Sequence, residues 1–509
     1  MTSITNADRR FFWKWMLIAL GLHLVAAFFS IGHQAADEYF QILEFMNFKL
    51  GKTPVADLAV EYAERMRPWF QPALYFVFAK IWSALGVLNP FTWVFSFRVF
   101  AGLVGWASGA LLTWQALTWF KTEATRRLLV LLSAFLWFLP VLHVRPSSEG
   151  LGGSFFFLGL ALAFWPGRRA WVAPLSGILM GLGFESRFQI GVMIAAFGGW
   201  WVLFSAGSLR QRLTWLAGWS GGLLLVIALG RVVDFWGYGE WACSPWNYIN
   251  YNLVRGEVNR YGPSPWWDVL RMSATEAWPI LGTLTLLMCV VAWFRFPKNS
   301  VTWSTASLFF IHSVISHKEL RFFFPIAHAA PLLMMLALTT REGTFLPIFD
   351  RFRAARFGRG VLGFLIFLNL SALVVLLFMP VARNVQFYDD YYHWMKKDTN
   401  TRAEVLTFGK DPFEVLGTNT YFYKPEEFVL TKVDHWADVE GRIKRDEKPA
   451  YLFLLQAELP QTAPSFIHDS CRPLIRTLPS WLFKLTWLNY GDWMSRVRAW
   501  TLFECKDHE

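Results

Sequence analysis

The stretch FFWKWMLIALGLHLVAAFFSI, residues 11–31, holds one charged side chain, Lys14, and is as long as the roughly 20 residues a helix needs to cross a bilayer. Arg9 and Arg10 precede it, and no small-residue cleavage site follows, which sets it apart from a secretory signal. Basic residues before a first span stay in the cytoplasm, so the N-terminus reads as inside.

Outward from this stretch, apolar runs recur at residues 94–120, 128–144, 150–166, 170–186, 189–206, 213–233, 275–294, 301–316, 322–339 and 360–380. Threaded alternately, they leave Lys121, Arg126 and Arg127, then Arg168 and Arg169, Arg210 and Arg212, and Arg295 and Lys298 in cytoplasmic turns. The last such turn carries Arg341, Arg351, Arg353, Arg356 and Arg359. Every inside turn is then basic, as the loop-charge bias requires. Residues 72–88 are apolar enough to span, but counting them would invert every later turn. They read as an interfacial or re-entrant helix. The expectation is a membrane all-α protein of about eleven spans with an outward C-terminus.

Composition agrees with a bilayer. Charged residues make up 17% of the 509, against about 25% in an ordinary soluble domain. The 29 Trp and 49 Phe suit helix ends in the headgroup zone. The net charge of +11 does not point to nucleic acid, because the cations lie in short turns between apolar runs and not on one soluble face. Residues 1–380 read as the membrane domain, with 32–93 its first extracytoplasmic loop. Residues 381–509 are mixed polar and charged, with strand-like runs at 405–408, 428–430 and 451–455, and read as a small extracytoplasmic α/β domain. The four cysteines form no CxxC pair and no zinc-like cluster. Cys289 reads as a core residue, while Cys471 and Cys505 are disulfide candidates if their region faces an oxidising compartment.

Ionisable residues near a bilayer are costly, so those that the charge bias leaves unexplained are functional candidates. They gather at the outer ends of the expected spans. The first loop reads His33-Gln-Ala-Ala-Asp37-Glu38-Tyr-Phe-Gln41-Ile-Leu-Glu44. As an α-helix it puts Tyr39, Ile42, Leu43 and Met46 on an apolar stripe and Asp37, Gln41 and Glu44 opposite, facing water. That polar side is either a solvated face or a pocket in which neighbouring carboxylates split their pKa values. Arg67 follows in Glu61-Tyr-Ala-Glu64-Arg65-Met-Arg67-Pro-Trp, positioned to pair with a neighbouring carboxylate or to grip an anion. Arg145, Glu149, Glu185, Arg187, His317, Lys318, Glu319 and Arg321 end other spans, and Asp234, Asn247 and Asn252 lie in a further outer loop. One outer Arg is a snorkelling residue, whereas several beside carboxylates or hydroxyls suggest a polar cavity that holds a phosphate.

Several of these blocks resemble glycosyltransferase family 22, membrane mannosyltransferases of the GT-C superfold that use dolichol-phosphate-mannose. The matching residues are Ala36-Asp-Glu-Tyr-Phe-Gln41 with Arg67-Pro-Trp-Phe-Gln-Pro72, then Arg145 to Glu149, Asp234 through Asn247 and Asn252, and His317-Lys-Glu-Leu-Arg-Phe322 with Phe324-Pro325. The blocks come in the family's order and span most of residues 11–340. One departure stands out: the family has His-Pro immediately before Asp-Glu, where this chain has Ala35-Ala36, with His33 two residues further back. The resemblance implies an inverting α-mannosyltransferase with Asp37 as catalytic base and Glu38 supporting it or orienting a sugar hydroxyl. It implies Lys318 and Arg321, backed by His317, Arg187 and Arg145, around the donor phosphate. Gln41, Arg67, Asp234, Asn247 and Asn252 are then contacts to sugar or acceptor. The implied partners are membrane lipids, a polyprenyl-phosphate-sugar donor and a glycan or glycolipid acceptor. No cofactor or metal is expected, because the donor carries a single phosphate. A transferase of another lipid-linked sugar, such as aminoarabinose or glucose, and a lipid or sugar transporter are the alternatives; a transporter would show inverted repeats or mid-span charges.

Overall fold

The structure, a computed structural model, describes residues 4–167, 169–397, 405–415, 417–424, 430–445, 449–456, 458–485 and 499–506. Two compact units emerge. The first takes the chain up to Ser30, Val60–Leu85 and Trp93–Met379; the second takes Ile31–Ala59, Gly86–Thr92 and the chain from Pro380.

The first unit is helical. Among the described residues, four helical stretches are long and apolar enough to cross a membrane: Asn6–Phe29, Pro90–Trp119, Leu209–Tyr238 and Arg356–Trp394. A fifth crossing is available if Leu320–Ala327 and Ala330–Leu338, bent by 68°, act as one span. Other expected spans are shorter apolar helices, Ser148–Ala163, Val172–Ser186, Ile190–Phe204 and Pro279–Arg295. The run 128–144 is broken into Glu123–Phe135 and Leu139–Val144. Pro140 accounts for the break, since its ring removes an amide donor and clashes with the carbonyl four residues back. Pro325 and Pro331 do the same at the starts of Phe324–Ala327 and Ala330–Leu338. Residues 72–88 yield one 15-residue helix, Phe70–Ala84.

Apolar helices in lipid gain little from hydrophobic burial against one another, so they associate where small residues let backbones approach. Ser148–Ala163 and Val172–Ser186 meet at Gly152 and Gly183: a Cβ on Gly152 would stand 3.1 Å from the Gly183 carbonyl oxygen, and one on Gly183 only 2.8 Å from that of Gly152. Leu209–Tyr238 is held as closely, since a Cβ on Gly222 would lie 2.1 Å from the Pro174 carbonyl oxygen. The Gly152–Gly183 contact fixes the helix ends that carry Glu149 and Arg187, and the Gly222 contact sets Leu209–Tyr238, which carries Asp234, against Val172–Ser186.

The second unit carries the sheet. Its strands are β1 (Val405–Phe408), β2 (Glu414–Val415), β3 (Thr418–Asn419), β4 (Leu430–Val433), β5 (Ala450–Leu454), β6 (Cys471–Arg476) and β7 (Thr501–Cys505). The main order is β4-β1-β5-β7-β6, with β1 parallel to β4 and β5, and β7 antiparallel to β5 and β6. The helix Trp436–Ile443 connects β4 to β5 and buries Val439 and Ile443 against Leu406, Leu452 and Phe503. The runs at 405–408 and 451–455 correspond to β1 and β5, while β4 begins at Leu430 and residues 428 and 429 lie outside the described residues. Cys471 and Cys505 are directly paired across β6 and β7 and joined by a disulfide. Gly32, at φ +103°, closes the unit's first segment against its later chain. A Cβ there would reach within 2.4 Å of Ala382, whose N–H, like that of Val381, donates to the Ile31 carbonyl.

Candidate active site

In the second unit, Asp37 is the N-cap of a π-helical turn, Glu38–Leu43, which runs into the α-helix Glu44–Lys49. The wide turn is marked by the Glu44 N–H reaching back five residues to the Tyr39 carbonyl. Single π turns inside helices occur frequently at functional sites. The apolar stripe is as expected: Tyr39, Ile42, Leu43 and Met46 are all buried. The watered polar face is not. Gln41 is buried, Glu44 is 1% exposed, and only Asp37 is half-buried. An α period of 3.6 residues puts Glu44 beside Asp37 and Gln41, but the π turn rotates it away, into protein. There the Tyr421 and Phe422 N–H groups donate to its Oε1 at 2.8 and 3.0 Å, and the Thr53 hydroxyl donates to Oε2. Burial pushes the Glu44 carboxyl up from its ordinary value, against the pull of those donors. Glu38 is also buried and accepts from the Gln34 N–H at 3.3 Å, so it braces the turn at whose mouth Asp37 stands. The His33 ring lies 5.5 Å from that of Tyr39.

In the first unit, the ends of several helices converge. Arg187, just past Val172–Ser186, lies 3.1 Å from Glu149 in the first turn of Ser148–Ala163, and its guanidinium stands 5.9 Å over the Phe322 ring. Ser147 caps that first turn, accepting from the Gly150 N–H. Beyond Phe322, Arg321 grips Glu319 with two bonds, 2.7 and 2.9 Å, and His317 Nε2 lies 3.0 Å from the same carboxylate. Between them, the Lys318 ammonium donates to the carbonyls of Ile315 and Ser264. Burial lowers the Lys318 pKa, partly offset by the Asp268 carboxylate. Asp268 itself is held below the usual carboxylate range by a hydrogen bond from Arg271.

Thus Arg187, His317 and Arg321 are brought together around Phe322, with Glu149 and Glu319 among them, while the Lys318 ammonium turns to the Ser264 and Ile315 carbonyls on the Asp268 side. Two expected contacts take other roles. Arg145 is 0% exposed and donates to the carbonyl and hydroxyl of Ser30, which ties the end of the first helix to the turn before Ser148–Ala163. Its guanidinium thus holds structure in this arrangement. Asp234 is likewise fully buried, taking the Trp69 N–H at 2.9 Å, the Ser244 hydroxyl at 2.6 Å and Arg231 at 2.9 Å, which ties it to the 65–72 segment. Arg67 lies beside Glu61 and over the Tyr248 ring, its backbone clasped by the Tyr238 hydroxyl. Asn247 donates to the Arg65 carbonyl and Asn252 to that of Tyr248, which stiffens the outer loop.

Arg231, the Asp268–Arg271 pair and three buried histidines are absent from the sequence candidates. Arg231 precedes Asp234 by three residues, a helical pairing visible in the sequence, and also approaches Glu185 at 3.6 Å. His23 and His143 are 2.8 Å apart, His143 stacks on His328, and His328 reaches the Gly150 carbonyl. Each lies inside an apolar run, and that placement was the available signal. Among the described residues, no three His, Cys, Asp or Glu side chains stand together as a metal site.

The Alg9-like mannosyltransferase family model matches residues 14–430. GPI mannosyltransferase 3 of Candida albicans is 26% identical over 302 residues, 57% of each chain. GPI mannosyltransferase 3 of Yarrowia lipolytica is 27% identical over 319 residues, 59% of this chain and 57% of that one. The match therefore spans under two thirds of these relatives' length. Among solved structures, ArnT from Cupriavidus metallidurans bound to undecaprenyl phosphate aligns over 96% of this chain and 97% of its own, with a TM-score of 0.51 and 12% identity, a likeness of fold. The fold is that of GT-C membrane glycosyltransferases, and the family model covers most of a multi-pass membrane chain: this protein belongs to the Alg9-like mannosyltransferase family.

Proposed function

We infer that this protein transfers mannose, with inversion, from a polyprenyl-phosphate donor to a glycan or glycolipid acceptor on the extracytoplasmic side. The acceptor oxygen attacks the anomeric carbon, its proton passes to the Asp37 carboxylate, and the bond from that carbon to the phosphate oxygen breaks with its electron pair leaving on the phosphate. Preorganised cations stabilise the charge that develops there. Lys318 and Arg321 take that task, with Arg187 and His317 beside them. Glu38 braces the Asp37 turn, and Gln41 and Arg67 are left for sugar or acceptor.

The observation that carries this reading is the family match across residues 14–430, joined to the convergence of Arg187, His317 and Arg321 around Glu149 and Glu319, with Lys318 next in the chain. The relatives' names make a GPI-type glycolipid the first acceptor to test, and the ligand of the ArnT structure makes undecaprenyl phosphate the first carrier. The test offers the purified protein a panel of polyprenyl-phosphate sugars with such acceptors and follows donor consumption by mass spectrometry. Mannose is the expected sugar, with Asp37→Asn slowed by about 10²–10⁴-fold at unchanged donor affinity. Preference for glucose or aminoarabinose would move the protein to another branch of the fold. Full activity in Asp37→Asn would remove that residue as base.

A further inference from the structure

The second unit contains a feature that the reaction does not use: a buried carboxylate, Glu44, on the same helical segment as Asp37 and Glu38 but seven positions along, held by a turn far down the chain. Its Oε1 receives the Tyr421 and Phe422 N–H groups, and its Oε2 the hydroxyl of Thr53, which is itself held by Asn47 at 2.8 Å. The turn grips the segment a second time through Tyr423, whose ring stacks on Tyr39 at 5.6 Å and on Phe91 at 4.8 Å. It is anchored in its own region, where the Thr420 N–H and hydroxyl both bond to the Phe413 carbonyl and the Phe413 ring stacks on Tyr388.

We propose that the turn at residues 421–423 is a clamp through which the C-terminal region positions the catalytic helix, with Glu44 as the positioning residue it acts on. Burying a carboxylate is a poor route to stability, since an apolar side chain of similar volume does as well or better. What the charged group adds is direction. Charge-assisted bonds from two successive backbone amides fix the helix in rotation and along its axis, where an apolar contact would let it slide. Because the donors to Glu44 are backbone amides, that hold depends on the path of the turn, and the Tyr423 ring adds to it. A general base displaced by about 1 Å loses on the order of 10²-fold in rate, so a hold two turns from Asp37 bears on turnover and not on donor binding. The proposal rests on Asp37 acting as the base.

The test uses the full chain in lipid nanodiscs with polyprenyl-phosphate mannose, comparing Glu44→Ala with Glu44→Gln, which keeps an acceptor oxygen for the two amides. Glu44→Ala is expected to lower kcat by ~30-fold or more while donor KM stays within about threefold, and Glu44→Gln to recover most of that loss. Backbone hydrogen exchange over residues 38–49 should quicken in Glu44→Ala and stay as in the wild type in Glu44→Gln, with the helices of the first unit unchanged in both. Unchanged exchange and kcat in Glu44→Ala would overturn the clamp, as would a loss confined to KM. Exchange is read without turnover. If Asp37→Asn stays active, the base assignment fails, while exchange in Glu44→Ala still decides whether the turn holds the helix.

Discussion

If Lys318 holds the donor phosphate as proposed, it sets a pH dependence on donor binding. Its ammonium is buried and donates to two carbonyls, and burial lowers its pKa below the ordinary lysine value near 10.4. As pH rises, this cation therefore loses its charge before a surface lysine does. A phosphate held by it is released over the same range. Affinity for the polyprenyl-phosphate donor is expected to be full at neutral pH and to fall on the alkaline side, at a pH below that of free lysine. Lys318→Arg, whose guanidinium keeps its proton, should carry the falling limb upward by a unit or more, and Lys318→Ala should weaken donor binding about tenfold at neutral pH. Donor titration across pH by intrinsic Trp fluorescence measures all three. Superimposable profiles for wild type and Lys318→Arg would take Lys318 out of the phosphate contact.

Among the elements, the helix Leu209–Tyr238 offers two adjacent glycines with opposite fates. Gly221 has nothing within 4 Å of where a Cβ would stand, whereas a Cβ on Gly222 would meet the Pro174 carbonyl at 2.1 Å. Gly221→Ala is expected to be neutral or to stabilise by up to ~1 kcal/mol through helix propensity. Gly222→Ala should cost about 1–3 kcal/mol, because two backbones must part. Thermal unfolding of the two variants in detergent compares them directly, and equal midpoints would refute the close-packing argument. These helices were legible because bilayer length and apolar composition constrain a sequence strongly. The breaks were less so: Pro140, Pro325 and Pro331 were in view, but hydropathy averages over a break. Strands β6 and β7 were missed because β6 carries Pro473 beside a bulge and reads as irregular polar chain.

At the scale of the whole chain, what the sequence hid was partnership over distance. Glu44 reads as a surface residue because its donors are backbone amides 377 and 378 positions away, and no side-chain pattern announces them. Asp37, Arg187, Lys318 and Arg321 stood out for a simpler reason: a charge beside a long apolar run needs an explanation wherever it occurs. The threading from which they were read can be checked with cysteines already present. Cys243 is exposed with a free thiol, in the stretch expected to face outward, while Cys471 and Cys505 are joined, and disulfides persist on the oxidising side of a membrane. A membrane-impermeant maleimide applied to intact cells should therefore label Cys243 without permeabilisation and leave Cys471 and Cys505 untouched until a reductant is added. Replacing that pair by serine removes a crosslink over 34 residues, worth about 3–4 kcal/mol in the chain-entropy account, and should lower the unfolding midpoint of the second unit. Labelling of Cys243 only after permeabilisation would invert the threading, put Lys318 and Arg321 on the cytoplasmic side and end the case for extracytoplasmic transfer.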